Sequence, residues 1–253
     1  MSAPRKPLIV GNWKMNKTIA QTRAFAEDLR ARELPFADVD AVICPPFTAL
    51  CEARDVLAGL PVGLGAQNMS WADGGPYTGE ISPLMLVELG VAWVVIGHSE
   101  RRALFGELDE RVNEKVVGAL RHGITPIVAV GETEQEHAAG LATARVREQV
   151  TLAFAGIAPA DVARCVVAYE PIWAIGTGNA DSPPEANALM GEIRGAVAGL
   201  DDVRLLYGGS VNPRNVADFV AQSDIDGGLV GGASLDPASF AALLEGARRG
   251  ALA

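Results

Sequence analysis

The chain is poor in cysteine, with three among 253 residues. They are Cys44, Cys51 and Cys165, and no C-x-x-C pair occurs. The odd number and the spacing argue against a secreted disulfide framework and a structural zinc site. A reducing cytoplasm is the expected compartment. Long apolar runs are lacking too: no stretch reaches the roughly 18 residues of a membrane span. Residues 1–7 carry two cations but no apolar segment with a cleavage site behind it, so no signal peptide is expected. Positive charge is in deficit, with Lys+Arg 21 against Asp+Glu 31 and a net charge of −10. Phosphate backbones need a basic footprint, which argues against nucleic acid as the main partner. A small anionic ligand needs only a local positive site and stays open. No linker, low-complexity segment or composition break divides the chain, so one domain over residues 1–253 is expected.

What is present is apolar and repetitive. Apolar residues make up 49% and charged residues 21%, which excludes disorder and allows a large core. Short apolar runs recur at 7–12, 39–44, 62–67, 91–98, 124–130, 165–170, 203–208 and 226–231. Most are rich in β-branched residues and lack polar alternation, as strands of a parallel sheet buried on both faces do. Helical spacing fills the intervals at 18–32, 109–121 and 138–154. Prolines lead further helices at 213–220 and 237–244, and Ser182-Pro183-Pro184-Glu185 has the form of a capped helix start. Gly123 after His122 reads as a helix end.

Eight strand–helix units allow a closed (β/α)8 barrel or an open doubly wound sheet. A dinucleotide fold places its glycine-rich turn after the first strand. Here that turn reads Gly11-Asn12-Trp13-Lys14, without G-x-G-x-x-G. The glycine pairs follow the seventh and eighth runs instead, at Gly208-Gly209-Ser210 and Gly231-Gly232. Phosphate sites in those places belong to the barrel, which is the expected α/β fold.

Barrel chemistry sits at the C-terminal strand ends. Those ends carry Asn12 and Lys14, then His98 with Glu100, Arg101 and Arg102, then Glu170. No clustered metal-ligand pattern appears. His122 and His137, among charged neighbours, fit solvated or structural roles. His98 opens a polar loop after an apolar strand, where the next helix's N-terminus disfavours the imidazolium. Glu170 is either a structural ion-pair member or a base. Lys14 is a solvated loop residue or a cation for an anionic ligand. The glycine pairs are tight turns or backbone cradles for an anion, the second being favoured, with Ser210 adding a hydroxyl. Pro171, Ile172, Trp173, Ala174, Ile175, Gly176, Thr177 and Gly178 form an apolar loop at a strand end. It is a buried connection or a water-excluding lid.

The motifs GNWKMN at 11–16, GAQN at 65–68, YTGEIS at 77–82, GHSERR at 97–102, AYEPIWAIGTG at 168–178, YGGSV at 207–211 and LVGGASL at 229–235 stand in this order. On them the chain closely resembles the triosephosphate isomerase family over nearly its whole length. The resemblance implies interconversion of dihydroxyacetone phosphate and D-glyceraldehyde 3-phosphate, with no cofactor or metal. It implies Glu170 as base, His98 as neutral electrophile, Lys14 and its neighbours Asn12 and Trp13 as substrate contacts, and Glu100 beside Lys14. Gly176, Ser210, Gly231 and Gly232 match the phosphate grip, and residues 171–178 the lid. It further implies a cytoplasmic homodimer, with Met15 and Thr78 at the contact. Two departures stand out. Ala129 occupies a position where the family commonly has cysteine, and Gly75-Pro76 stands where it often has Gly-Ala, which predicts a stiffer loop tip. The alternatives are another phosphate-binding barrel enzyme, such as a sugar-phosphate epimerase, and a non-catalytic or additional binding role on the same barrel. The combined Asn-Trp-Lys, His-Ser-Glu and Glu-Pro-x-Trp set weighs against the first, and intact Lys14, His98 and Glu170 against loss of catalysis, while an additional binding role stays open.

Overall fold

The computed structural model describes residues 5–174 and 181–253. Eight strands pair in parallel, in chain order, and close on themselves. They are β1 (Leu8–Asn12), β2 (Asp40–Cys44), β3 (Val62–Ala66), β4 (Trp93–Ile96), β5 (Thr125–Val130), β6 (Val166–Tyr169), β7 (Arg204–Tyr207) and β8 (Gly227–Val230). Each lies within one of the eight apolar runs. The principal helices between them are α1 (Ile19–Arg30), α2 (Leu50–Leu57), α3 (Pro83–Glu88), α4 (Ser99–Phe105), α5 (Asp109–Arg121), α6 (Glu134–Ala138), α7 (Ala142–Ala153), α8 (Pro159–Val162), α9 (Pro183–Arg194), α10 (Val216–Val220) and α11 (Pro237–Ala251). The closed ring, not the open sheet, is the architecture.

Strand side chains split by their period of two. Leu8, Val10, Val42, Val95, Ile127 and Leu206 join in a cluster made of strand residues alone, the barrel interior. Ile9, Ile43, Val94, Val128, Val167 and Leu205 alternate with them and pack with the helices. That double burial is why the runs show no polar alternation. Each fully buried aliphatic side chain contributes about 1.5–3 kcal/mol.

Helix ends follow local chemistry. Thr18 caps α1 in a reciprocal box with Gln21, and Ser182 caps α9 ahead of Pro183. The helix expected at 138–154 begins only at Ala142, and a separate short helix, α6, ends at Ala138. Gly140, at φ 71°, separates them, and Thr133 caps the first through Glu136. The helix expected from Pro213 begins only at Val216, while the one led by Pro237 runs on to Ala251. Among the described residues, no helix is long and apolar enough to cross a membrane.

Candidate active site

A cavity of about 280 Å³ opens at the C-terminal mouth of the barrel. Asn12, Lys14, His98, Glu170, Ser210, Gly231 and Gly232 line it, with Gly208, Gly209, Val211, Asn212 and Leu229. Residues far apart in sequence thus meet because β1, β4, β6, β7 and β8 end on one rim.

Lys14 follows β1 in a left-handed backbone, at φ 52°. Such a conformation is unfavourable for a residue with a side chain, so partners must hold it. The Lys14 N–H donates to Asn12 Oδ1 at 3.2 Å. The Gln67 amide donates to the carbonyls of Lys14 and Cys44, at 2.8 and 3.0 Å. Lys14 Nζ meets Glu100 Oε1 at 2.6 Å. A Cβ on Gly231 would lie 3.3 Å from Lys14 Cε, so glycine there leaves room for the lysine stem. Glu100 does not line the cavity and acts on it through Lys14 and His98.

His98 caps α4, and its Nδ1 accepts the Glu100 N–H at 3.2 Å. In the neutral ring that nitrogen carries no proton, and Nε2 faces the Glu170 carboxylate at 3.0 Å. Both side chains are almost fully buried. Glu170 Oε2 also accepts the Ser99 N–H at 2.9 Å. Burial alone pushes the Glu170 carboxyl up, but the His98 ring, the Ser99 N–H and Lys14 together hold it below the usual range. Burial lowers His98, and the Glu170 charge outweighs it, so the net direction is upward. The N-terminus of α4 alone favours a neutral ring, and the buried Glu170 charge opposes it.

The glycines after β7 and β8 supply backbone N–H groups without side chains. A Cβ on Gly209 would stand 2.3 Å from the Tyr207 hydroxyl, so this loop rests directly on that ring. Ser210 Oγ donates to the Ala174 carbonyl at 2.6 Å, tying the β7 loop to the loop after β6. At the root of that loop, Trp173 Nε1 donates to the buried Glu132 carboxylate at 2.7 Å.

The remaining expected site residues separate into groups. Trp13 does not line the cavity. It is 1% exposed and packs edge-on against Phe25, so it fills the core. Pro171, Ile172, Trp173 and Ala174 lie at the rim, whereas Ile175, Gly176, Thr177 and Gly178 fall outside the described residues. Met15 is 96% exposed and Thr78 is exposed, both away from the cavity lining. Gln67 and the Ser99 N–H had not been singled out as site groups. Each sits inside a quoted motif, GAQN and GHSERR.

A carboxylate, an imidazole and an ammonium converge beside a backbone cradle at the mouth of a closed barrel. The class so defined is a (β/α)8-barrel enzyme suited to acid–base chemistry on an anionic substrate. A family model described as triosephosphate isomerase matches residues 7–247. A curated triosephosphate isomerase of Symbiobacterium thermophilum is 51% identical over 249 residues, which cover 96% of this chain and 97% of that protein. The chain belongs to the triosephosphate isomerase family.

Proposed function

We propose that the protein interconverts dihydroxyacetone phosphate and D-glyceraldehyde 3-phosphate by proton transfer through an enediolate. The observation that carries this is the buried Glu170–His98 pair, 3.0 Å apart, facing a glycine cradle and Lys14 across one cavity. Glu170 takes a proton from the carbon beside the carbonyl and returns it to the neighbouring carbon. His98, donating from Nε2, stabilises the oxygen on which charge develops and moves the hydroxyl proton between the two oxygens. Lys14 and Asn12 hold the enediolate side, with Glu100 steadying the ammonium. Ser210, Gly231 and Gly232 grip the phosphate, and Gly176 joins them in the family pattern. No electron leaves the substrate, so the balance closes without an external oxidant or reductant.

Both Glu170 oxygens are engaged by His98 and Ser99 in the described arrangement. Substrate binding therefore has to draw the carboxylate off these partners, which raises its basicity. The loop at 171–178 is the lid in this reading, and it protects the enediolate from losing phosphate to water.

The same reading includes a single domain acting in the cytoplasm as a homodimer. Exposed Met15, Tyr77 and Met85 supply apolar surface for the second copy. Sedimentation at micromolar concentration is expected to give a dimer, and a monomer counts against it.

The test of the function is a coupled assay of glyceraldehyde 3-phosphate consumption, with Glu170→Gln beside the wild type. Fast wild-type turnover and a loss of several decades in the variant are expected. A wild type that neither turns over nor binds a phosphate-bearing enediolate analogue refutes the assignment.

A further inference from the structure

Among the buried side chains of α7, Val146, Val150 and Ala153 are apolar and Gln149 is not. Gln149 is 2% exposed and lies on the stripe that packs toward the barrel. A carboxamide in such a place is unfavourable unless it is hydrogen-bonded, and an apolar side chain would fill the position without that penalty. Its bond reaches the sheet: Gln149 Oε1 accepts the Gly131 N–H at 2.7 Å.

Gly131 directly follows β5 and lies against the backbone of Glu170. A Cβ on Gly131 would stand 1.8 Å from the Glu170 carbonyl oxygen and 3.3 Å from Glu170 Cα, so no side chain fits between the two chains. The residues on either side of Gly131 hold the same neighbour. The Val130 carbonyl accepts the Glu170 N–H at 2.7 Å, and the Glu132 carbonyl accepts the Ile172 N–H at 3.2 Å. Neither bond uses the Gly131 N–H, which Gln149 takes from the helix layer. His98 is anchored separately, since the carbonyl of Gly97 before it accepts Arg102 Nε at 2.7 Å. Lys14, Gly231 and Gly232 belong to β1 and β8, across the ring from β5.

We propose that Gln149 is a positioning residue for proton abstraction, its bond to Gly131 fixing the backbone on which Glu170 stands. The inference rests on the assignment of Glu170 as the base. Without the bond, the Gly131 N–H is left buried and unpaired, and the strand end shifts to find a partner. Gly131 touches Glu170 through backbone, so no side-chain rotation absorbs the shift. A misplacement of one ångström lowers a rate on the order of 10²-fold, so half of that corresponds to about tenfold. The phosphate grip and Lys14 stay in place, and substrate binding is kept.

The experiment compares Gln149→Met, Gln149→Asn and Gln149→Glu with the wild type, by coupled assay, by competitive inhibition with sulfate, and by circular dichroism to establish folding. Methionine keeps the length but offers no strong acceptor, and asparagine holds its amide back by one C–C bond, ~1.5 Å. Both should lose about tenfold in kcat, with KM and the sulfate inhibition constant within about twofold of wild type. Glutamate offers an acceptor oxygen in either protonation state and should recover kcat to within about threefold. The loss should also depend on the base: on Glu170→Asp, whose carboxylate is already withdrawn, Gln149→Met should lower kcat by less than about threefold more. If Gln149→Met does not fold, Gln149→Asn against Gln149→Glu carries the same expectation. Failure of both Met and Asn variants to fold assigns the bond to folding and overturns the positioning role. Wild-type kcat in folded variants, equal losses in kcat and sulfate binding, or an undiminished loss on Glu170→Asp overturns it too, while the isomerase assignment stands. A wild type without triose phosphate turnover overturns both.

Discussion

Replacing Glu170 by aspartate removes one methylene and draws the carboxylate back by about one C–C bond, ~1.5 Å. The backbone is not free to follow it. Glu170 N–H is bonded to the Val130 carbonyl at 2.7 Å, and the adjoining Tyr169 carbonyl accepts the Gly208 N–H at 2.7 Å. The strand end is therefore pinned on both sides. A misplacement of one ångström in a reacting group lowers the rate on the order of 10²-fold. A retraction of ~1.5 Å should lower kcat by about 10²–10³, equivalent to about 2.7–4 kcal/mol at 1.36 kcal/mol per decade. The lost methylene changes stability by only about 0.8 kcal/mol, so the variant should fold. The coupled assay gives kcat, and titration with a phosphate-bearing enediolate analogue gives affinity in the same preparation. In the proposed site Lys14 and the glycine cradle hold the analogue, so its affinity should fall far less than kcat. Equal losses in both would refute the reasoning, because the carboxylate would then be a binding group.

Three other outcomes follow from the geometry. Cys44 and Cys165 are buried, their thiols pushed up to about 12, while Cys51 is exposed, so native protein at pH 8 should show one fast-reacting thiol and denatured protein three. A second fast thiol in the native state contradicts that burial. Lys115 Nζ, almost wholly buried, bonds Glu107 at 2.7 Å and Asn68 at 2.8 Å, and Lys115→Met should destabilise by about 3 kcal/mol in urea titration, the lower end for a broken buried pair because Arg101 still contacts Glu107. A change below about 0.5 kcal/mol, the level of a surface substitution, rejects this. For His98 and Glu170 the signs oppose. The lowered carboxylate contributes above its ordinary 4.5 and is lost as pH falls further, while the raised imidazole contributes below its ordinary 6.5 and is lost as pH rises past it. The stability difference between wild type and His98→Asn should peak between these values, and a difference that grows toward pH 9 excludes the ion pair.

The strands were legible because double burial leaves an uninterrupted apolar run and glycine or charge ends it. The closed ring was legible through where the glycine pairs fall rather than through periodicity. Gly140 was missed as a break because the residues on both sides keep helical spacing, although Thr133 and Glu136 carry a capping-box pattern that marks the earlier start. Trp13 was placed among substrate contacts by its motif, yet a large ring next to a strand end has a core to fill, and Phe25 supplies it. The His98–Glu170 contact joins different strands, and no local pattern encodes its direction or its effect on protonation.

The rim that gathers these groups has a consequence for how activity is acquired. Asn12 comes from the first strand and Gly231 from just beyond the last, and Leu8 pairs directly with Gly227 to close the ring. Below that seam Arg5 bonds Asp226 across 221 positions of chain. Loop closure over such a span is among the slower events of folding, because its entropy is lost before contacts reward it. Every shorter segment of the chain lacks one side of the cavity. During refolding, therefore, regain of catalysis reports the joining of the two ends of the sequence, and should lag behind the recovery of helix signal.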